Sequence, residues 1–266
     1  MVPRPGVTIA IPNWNHEVLL PRSIASALRA LAVLRDQGVP GEVVVIDDCS
    51  RDGSLTLLRQ LEAVHRSDGL RVLAFATNEG LAASRNQAIL NARFQYIAFL
   101  DADNELIPAN LPYFVLTLRE THAAAAYGTL LMRTLSARIA FGVTSNESVQ
   151  SKLFEGNYID ALAVFDRQQL LDVGGYITGC KETCGREDFE LWLNLATNGR
   201  QIVFVPVVLG YYYILPNSMI QTTETWETAR NRIARAFDQL RIRSALPMNT
   251  ECCKYHPDIG YIGKAQ

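Results

Sequence analysis

The sequence predicts an α/β protein, a single domain with a mostly parallel central sheet flanked by helices. Three observations carry that expectation. Over the first hundred residues, β-rich runs alternate with amphipathic helical stretches. The β-rich runs are nearly continuous in apolar residues, as strands buried on both faces are. Each run also ends in polar residues on its carboxyl side, where parallel sheets bind their ligands.

Taken in order, residues 7–11 form a short strand pattern that stops at Pro12. A helix is expected over 22–35, with Ile24, Ala27, Leu28, Leu31 and Leu34 on one stripe. Gly38, Pro40 and Gly41 end it. Val43, Val44, Val45 and Ile46 make the next strand, over 42–46. A helix over 54–64, a strand over 70–75, a helix over 81–92 and a strand over 96–100 follow. This order implies helices on both faces and right-handed crossovers.

The second half is less regular. Helices are expected over 111–120, 168–173 and 187–198, the last two closed by Gly174-Gly175 and Gly199. Strands are expected over 124–133, 159–165 and 202–208, and a helical tail over 224–243. Residues 138–156 read as a loop able to cover a site.

Composition narrows the function classes. The chain has 266 residues, 48% apolar and 20% charged, which excludes disorder and collagen-like repeats. Lys and Arg number 25 against 27 Asp and Glu, a net charge of −2 that argues against a basic nucleic-acid groove. The longest nearly apolar stretch, 202–215, has 14 residues and contains Pro206. A membrane span needs about 20, so two consecutive buried strands are expected there. Residues 1–6 lead straight into a strand without a charged-then-apolar signal, so a cytosolic compartment is expected. Of the five cysteines, Cys49 falls in a loop, and Cys180, Cys184, Cys252 and Cys253 are loosely spaced. Reduced thiols are expected, with a zinc site the weaker alternative.

The strand ends hold the chemistry. Pro12-Asn13-Trp14-Asn15-His16 follows the first strand, Asp47-Asp48 the second, Asn78-Glu79-Gly80 the third and Asp101-Ala102-Asp103 the fourth. Two carboxylates two apart at a strand end suit a hard divalent cation, Mn²⁺ or Mg²⁺, with positions left for phosphates. One of Asp47 and Asp48 is expected to cap the helix that follows, leaving the other for a ring N–H. Trp14 stands where it could stack on a base or join the core. Gly80 opens a helix whose N-terminus favours an anion, and Arg85 lies one turn in, able to reach an anion or to pair with Asp47 or Asp103. Glu187 and Asp188 begin the late helix, where the dipole favours carboxylates.

Together these segments resemble the family-2 glycosyltransferases with the GT-A fold. The matching stretches are 9–15 (IAIPNWN), 43–54 (VVVIDDCSRDGS), 78–86 (NEGLAASRN), 97–104 (IAFLDADN), 160–176 (DALAVFDRQQLLDVGGY) and 187–199 (EDFELWLNLATNG). The resemblance implies that Pro12, Trp14, Asn15 and Asp48 line a nucleoside pocket, assisted by Arg85. Asp101 and Ala102 would meet the donor, Asp103 the metal. Asp188 would be the general base, with Glu187 and Trp192 supporting the acceptor side. It implies an inverting transferase taking a nucleotide-sugar, expected to be UDP-linked, to a glycan or lipid-linked acceptor in polysaccharide or glycoconjugate synthesis. A transferase domain over 1–220 would divide into a nucleotide-binding half, about 1–104, and an acceptor-binding half, about 105–220. A C-terminal helical tail over 221–266 would follow, with peripheral membrane contact through the arginines of 224–243. Closure of 138–156 or 176–186 would exclude water.

One departure stands out. Many relatives carry a basic residue and a histidine in the tyrosine-led segment before Asn-Ser-Met, and Leu215 stands there instead. His256 is the candidate substitute. A nucleotide-sugar-binding protein with weak or no turnover is therefore the alternative. A nucleotidyltransferase would need a Gly-rich basic loop after the first strand, and a dinucleotide-binding oxidoreductase a Gly-x-Gly-x-x-Gly. Neither pattern is there.

Overall fold

The computed structural model describes residues 4–136, 142–145, 147, 150–154, 156–178, 187–215, 253–256 and 260–263. The first hundred residues form β1 (Arg4–Asn13), α1 (Leu20–Asp36), β2 (Gly41–Asp47), α2 (Ser54–His65), β3 (Leu70–Ala74), α3 (Leu81–Asn91) and β4 (Phe94–Phe99). There follow β5 (Glu105–Leu106), α4 (Leu111–Thr121), β6 (Ala125–Arg133), β7 (Gly142–Thr144), a 3₁₀ turn (Gln150–Phe154), β8 (Val164–Asp166), α5 (Arg167–Asp172), α6 (Glu187–Thr197) and β9 (Ile202–Tyr213).

One nine-stranded sheet has the order β3-β2-β1-β4-β8-β6-β9-β5, with β7 beside β6. β3, β2, β1 and β4 pair parallel. β8 then enters antiparallel between β4 and β6, β6 and β9 run parallel, and β5 closes the edge antiparallel to β9. The sheet is thus parallel through its first half and mixed through its second.

Both faces are buried. On one, Val7, Ile9, Ile11, Val43 and Val45 pack with Ile24 and Leu31 of α1, Leu58 of α2 and Phe114 of α4. On the other, Ala10, Val44, Ile46 and Phe99 pack with Ile89 of α3, Leu170 of α5 and Trp192 of α6. Alternate residues of one strand feed opposite layers, which is why the runs read as continuously apolar.

Four expectations are corrected. β1 does not stop at Pro12 but runs to Asn13 beside β2. Its pairing with β4 ends at Ala10, so Pro12 lies where one edge of the strand is free, a position that tolerates proline. The stretch after 201 is one strand, not two. β9 passes Pro206 at register shifts against β6 between Tyr127 and Leu130, and these irregularities accommodate the missing N–H. Of 159–165, only the end is a strand, because the Asp160 carboxylate accepts the Leu162 N–H (2.9 Å) and turns the chain before β8. The tail is not wholly helical, since β10 (Cys253–His256) and β11 (Gly260–Gly263) form an antiparallel hairpin. The helix expected over 224–243, residues 179–186 and 216–219, and Cys180, Cys184 and Cys252 lie outside the described residues, as do 138–141, 146, 148, 149 and 155 of the loop expected over 138–156, whose described part holds β7 against β6 and the 3₁₀ turn. Cys49 is a free, half-buried thiol.

Candidate active site

The parallel strands deliver their polar ends to one rim. Asp47, wholly buried, accepts from the Asn13 side-chain amide (2.7 Å) and from the Ser50 hydroxyl (2.7 Å) and amide (3.1 Å). It closes its own loop. Asp48 is also buried, and its two oxygens accept the backbone N–H groups of Glu79 (2.6 Å) and Gly80 (2.8 Å). Neither acid caps α2, the expected partner. Asp48 instead satisfies amides leading into α3, where Gly80 takes φ 91°, a conformation open to glycine. Burial pushes the Asp48 carboxyl up, and the two amides oppose that. Each oxygen keeps a second lone pair.

Pro12 is buried in β1, and beside it Trp14 is half exposed at 48%, so it lies on the rim and not in the core. Asn15 (φ 58°) accepts the Arg51 N–H (2.7 Å) and gives its own N–H to the Ser50 hydroxyl (3.0 Å). The loop after β1 is therefore stitched to the loop after β2.

Arg85 occupies the centre. Its side chain is 1% exposed; Nη1 donates to Glu187 (2.6 Å) and Nη2 to Asp101 (2.8 Å), and the guanidinium stands 5.4 Å from the Tyr176 ring centroid. The expected partners were a free anion, Asp47 or Asp103. The structure instead joins α3 to the end of β4 and to the first turn of α6. A buried arginine shared by two carboxylates is well matched in charge and fork geometry.

Around this pair lies a concentration of acids. Asp103 is raised to about 7, by burial and then by Asp101, with Arg22 and Arg85 opposing. Asp188 is likewise raised to about 7, by burial and then by Glu187 and Asp160, with Arg85 and the Phe189 N–H opposing. Asp188 accepts from the Asn157 side-chain amide (3.0 Å) and the Phe189 N–H (2.7 Å). Desolvation and like charge override the helix dipole here, which a neutral-pH base requires. Ala102 is buried within the turn between the two acids. Among the described residues, no group of three or more His, Cys, Asp or Glu is gathered as a metal cage.

Trp192, expected to support the acceptor side, lies beneath the rim and not on it. It is wholly buried and stacks on Phe165 (centroids 5.0 Å, 21°), so it supports the rim only by packing α6. Two residues escaped the sequence reading. Asp160 is raised to about 7 by burial and by Asp101, and it acts on Asp188 and Tyr212. The sequence pattern places it in a strand over 159–165, and only the Asp-x-Leu turn signal points to its actual role. Arg22 reads as a helix-surface residue, yet it donates to the Asp103 carbonyl (2.6 Å).

Comparison with known proteins fits this geometry. A family model described as Glycosyl transferase family 2 matches residues 8–159. The chain is 26% identical to the putative teichuronic acid biosynthesis glycosyltransferase TuaG of Bacillus subtilis (strain 168), over 91% of this chain and 92% of that protein. Its fold is similar to S. aureus TarS 1-349 in complex with UDP-GlcNAc (TM-score 0.67, 19% identity, 88% of this chain and 66% of that one). It is also similar to the mannosyltransferase PcManGT from Pyrobaculum calidifontis in complex with GDP-Man and Mn²⁺ (TM-score 0.62, 21% identity, 93% of this chain and 73% of that one).

Proposed function

The chain belongs to glycosyl transferase family 2 and is a glycosyltransferase of the GT-A fold, and from that premise we propose that it moves a sugar from a UDP-linked donor to an acceptor hydroxyl with inversion. The observation that carries this reading is the Asp188 carboxyl, raised to about 7 and placed one residue from the Glu187–Arg85–Asp101 bridge. A carboxylate of that basicity takes a proton from an approaching hydroxyl near neutral pH. The acceptor oxygen then bonds to the anomeric carbon from the face opposite the diphosphate. The carbon–oxygen bond to the diphosphate breaks, and its electron pair leaves with the nucleoside diphosphate.

On the donor side, the Trp14 face is open for a base to stack on, beside Pro12 and Asn15. Asp48 retains a lone pair on each oxygen for a ring N–H. On this reading Asp101 and Ala102 meet the ribose and sugar of the donor. The residues fit a divalent cation, Mn²⁺ or Mg²⁺. Asp103 is a carboxyl in a field of acids, raised to about 7 although a backbone N–H, Arg22 and Arg85 oppose the rise, so binding a cation there relieves repulsion. When bound, the cation would neutralise charge on the departing diphosphate. Nothing enclosed by protein alone is needed, because Mg²⁺-like ions keep positions for phosphate oxygens.

TuaG is named for teichuronic acid biosynthesis, which supports a role in polysaccharide or glycoconjugate synthesis, with a glycan or lipid-linked acceptor. No helix among the described residues is long and apolar enough to cross a membrane. We place the transferase unit at 1–220 and the protein on the cytoplasmic side, in peripheral contact with the membrane when its acceptor is lipid-linked.

The test is calorimetric titration with UDP and GDP, with and without Mn²⁺, on the wild type, Asp103→Ala and Asp188→Ala. The expected result is Mn²⁺-dependent UDP binding that Asp103→Ala loses and Asp188→Ala keeps. Folded wild-type protein that binds neither nucleotide would overturn the reading.

A further inference from the structure

The turn that carries the candidate metal ligand is held from behind. Asp101 and Asn104 close it, the Asn104 N–H meeting the Asp101 carbonyl at 3.0 Å. The first turn of α1 grips both ends by main-chain carbonyls. Arg22 Nη2 donates to the Asp103 carbonyl at 2.6 Å, and the Ser23 hydroxyl donates to the Asp101 carbonyl at 3.3 Å. Arg22 is itself anchored, with Nε 3.0 Å from Glu105 and its guanidinium 3.7 Å above the Tyr213 ring centroid. Tyr213 returns to the turn, its N–H reaching the Asn104 side-chain oxygen (3.0 Å) and its hydroxyl reaching Glu105 (3.2 Å). Arg133 contacts the Tyr213 hydroxyl from the other side.

We propose that Arg22 is a positioning residue that fixes the Asp101–Asp103 turn for cation-assisted binding of a nucleoside diphosphate. It does so through the Asp103 carbonyl and the Glu105–Tyr213 anchor at the end of β9. The physical reason is the chemistry of the contact. A carbonyl hydrogen bond leaves the Asp103 carboxylate free for a ligand while denying the turn other conformations. The planar guanidinium donates to the turn, sets its charge beside Glu105 and lies over the Tyr213 ring at once, which a single ammonium cannot do. The first turn of α1 also starts from the loop after β1, since the Leu19 and Leu20 N–H groups meet the His16 carbonyl at 2.9 and 3.0 Å. The nucleoside-side loop and the acidic turn therefore share one support.

This inference rests on the donor-site reading above, and its test separates the two. UDP is titrated calorimetrically into the wild type, Arg22→Ala, Arg22→Lys and Tyr213→Phe, with and without Mn²⁺, beside thermal melts. Arg22→Ala is expected to lose at least about ten-fold of the Mn²⁺-dependent gain in UDP affinity while its metal-free affinity stays at the wild-type value. A generally damaged fold would lower both. Arg22→Lys should recover part of the gain, and Tyr213→Phe, which keeps the ring but removes the hydroxyl bonded to Glu105, should lose less of it than Arg22→Ala. A full Mn²⁺ gain in Arg22→Ala, or in Arg22→Lys should the alanine variant not fold, would overturn the inference while the donor-site reading stands. A wild type without any Mn²⁺ gain would overturn both.

Discussion

The two sides of the rim hold their carboxylates by different means. On the proposed donor side, Asp47 and Asp48 are held by local N–H and O–H donors, and the loops after β1 and β2 are stitched together. On the proposed acceptor side, Glu187, Asp188 and Asp160 crowd together around the buried Arg85, and Asp160 and Asp188 are raised to about 7. Hydrogen bonds to a carboxylate fix its geometry and favour its charge, while desolvation and like charge keep it basic. The first arrangement fixes the position of a carboxylate, and the second leaves it able to take up a proton near neutral pH.

The sharpest way to break that contrast is Asp188→Asn. The substitution is isosteric and removes the base, so turnover should fall about 10²–10⁴-fold while UDP binding is unchanged. A parallel loss of nucleotide affinity would erase the distinction between the sides. Next in size is Arg85→Ala, which strands two acids at a buried site. Stability measured by denaturant should fall by about 3–5 kcal/mol, the cost of breaking a buried pair. A variant as stable as the wild type would remove Arg85 as the link between them.

The two rim-associated tryptophans sharpen the comparison further. Trp192→Ala should cost about 3–5 kcal/mol of stability, because Trp192 is wholly buried against Phe165. Trp14→Ala should leave the melting temperature unchanged and weaken UDP binding by about ten-fold, within the roughly 1–3 kcal/mol that base stacking contributes. The smallest effect is in pH. With the Asp188 carboxyl raised to about 7, the base is protonated below that pH and ionised above it. A kcat/KM profile should rise about ten-fold per pH unit below 7 and level off above. The remaining activity of Asp188→Asn should lack that limb.

Much of this was legible beforehand, for identifiable reasons. The strands at Val43–Ile46 and 96–100 announce themselves because residues buried on both faces must all be apolar. The acid pairs at 47–48 and 101–103 stand out because each follows such a strand directly. Asp188 was legible only through resemblance, since carboxylates in a first helical turn are expected from the dipole alone. Asp160 and Arg22 were not legible as site residues. Their roles depend on neighbours far along the chain, Asp101 for one and the Asp103 carbonyl for the other.

Sequence by itself determined the alternation of elements, the two buried layers and the rim on which polar residues would gather, because all three follow from local periodicity and the handedness of the crossover. Only the tertiary structure decided what each rim residue does. It sent Asp48 to the amides before α3 instead of α2, committed Arg85 to Asp101 and Glu187, turned Trp14 outward and Trp192 inward, and gave Asp188 its basicity. Hydrogen-bond partners, burial and pKa are properties of what surrounds a group in space. No spacing along the chain encodes that surrounding until the sheet and its helices have closed around it.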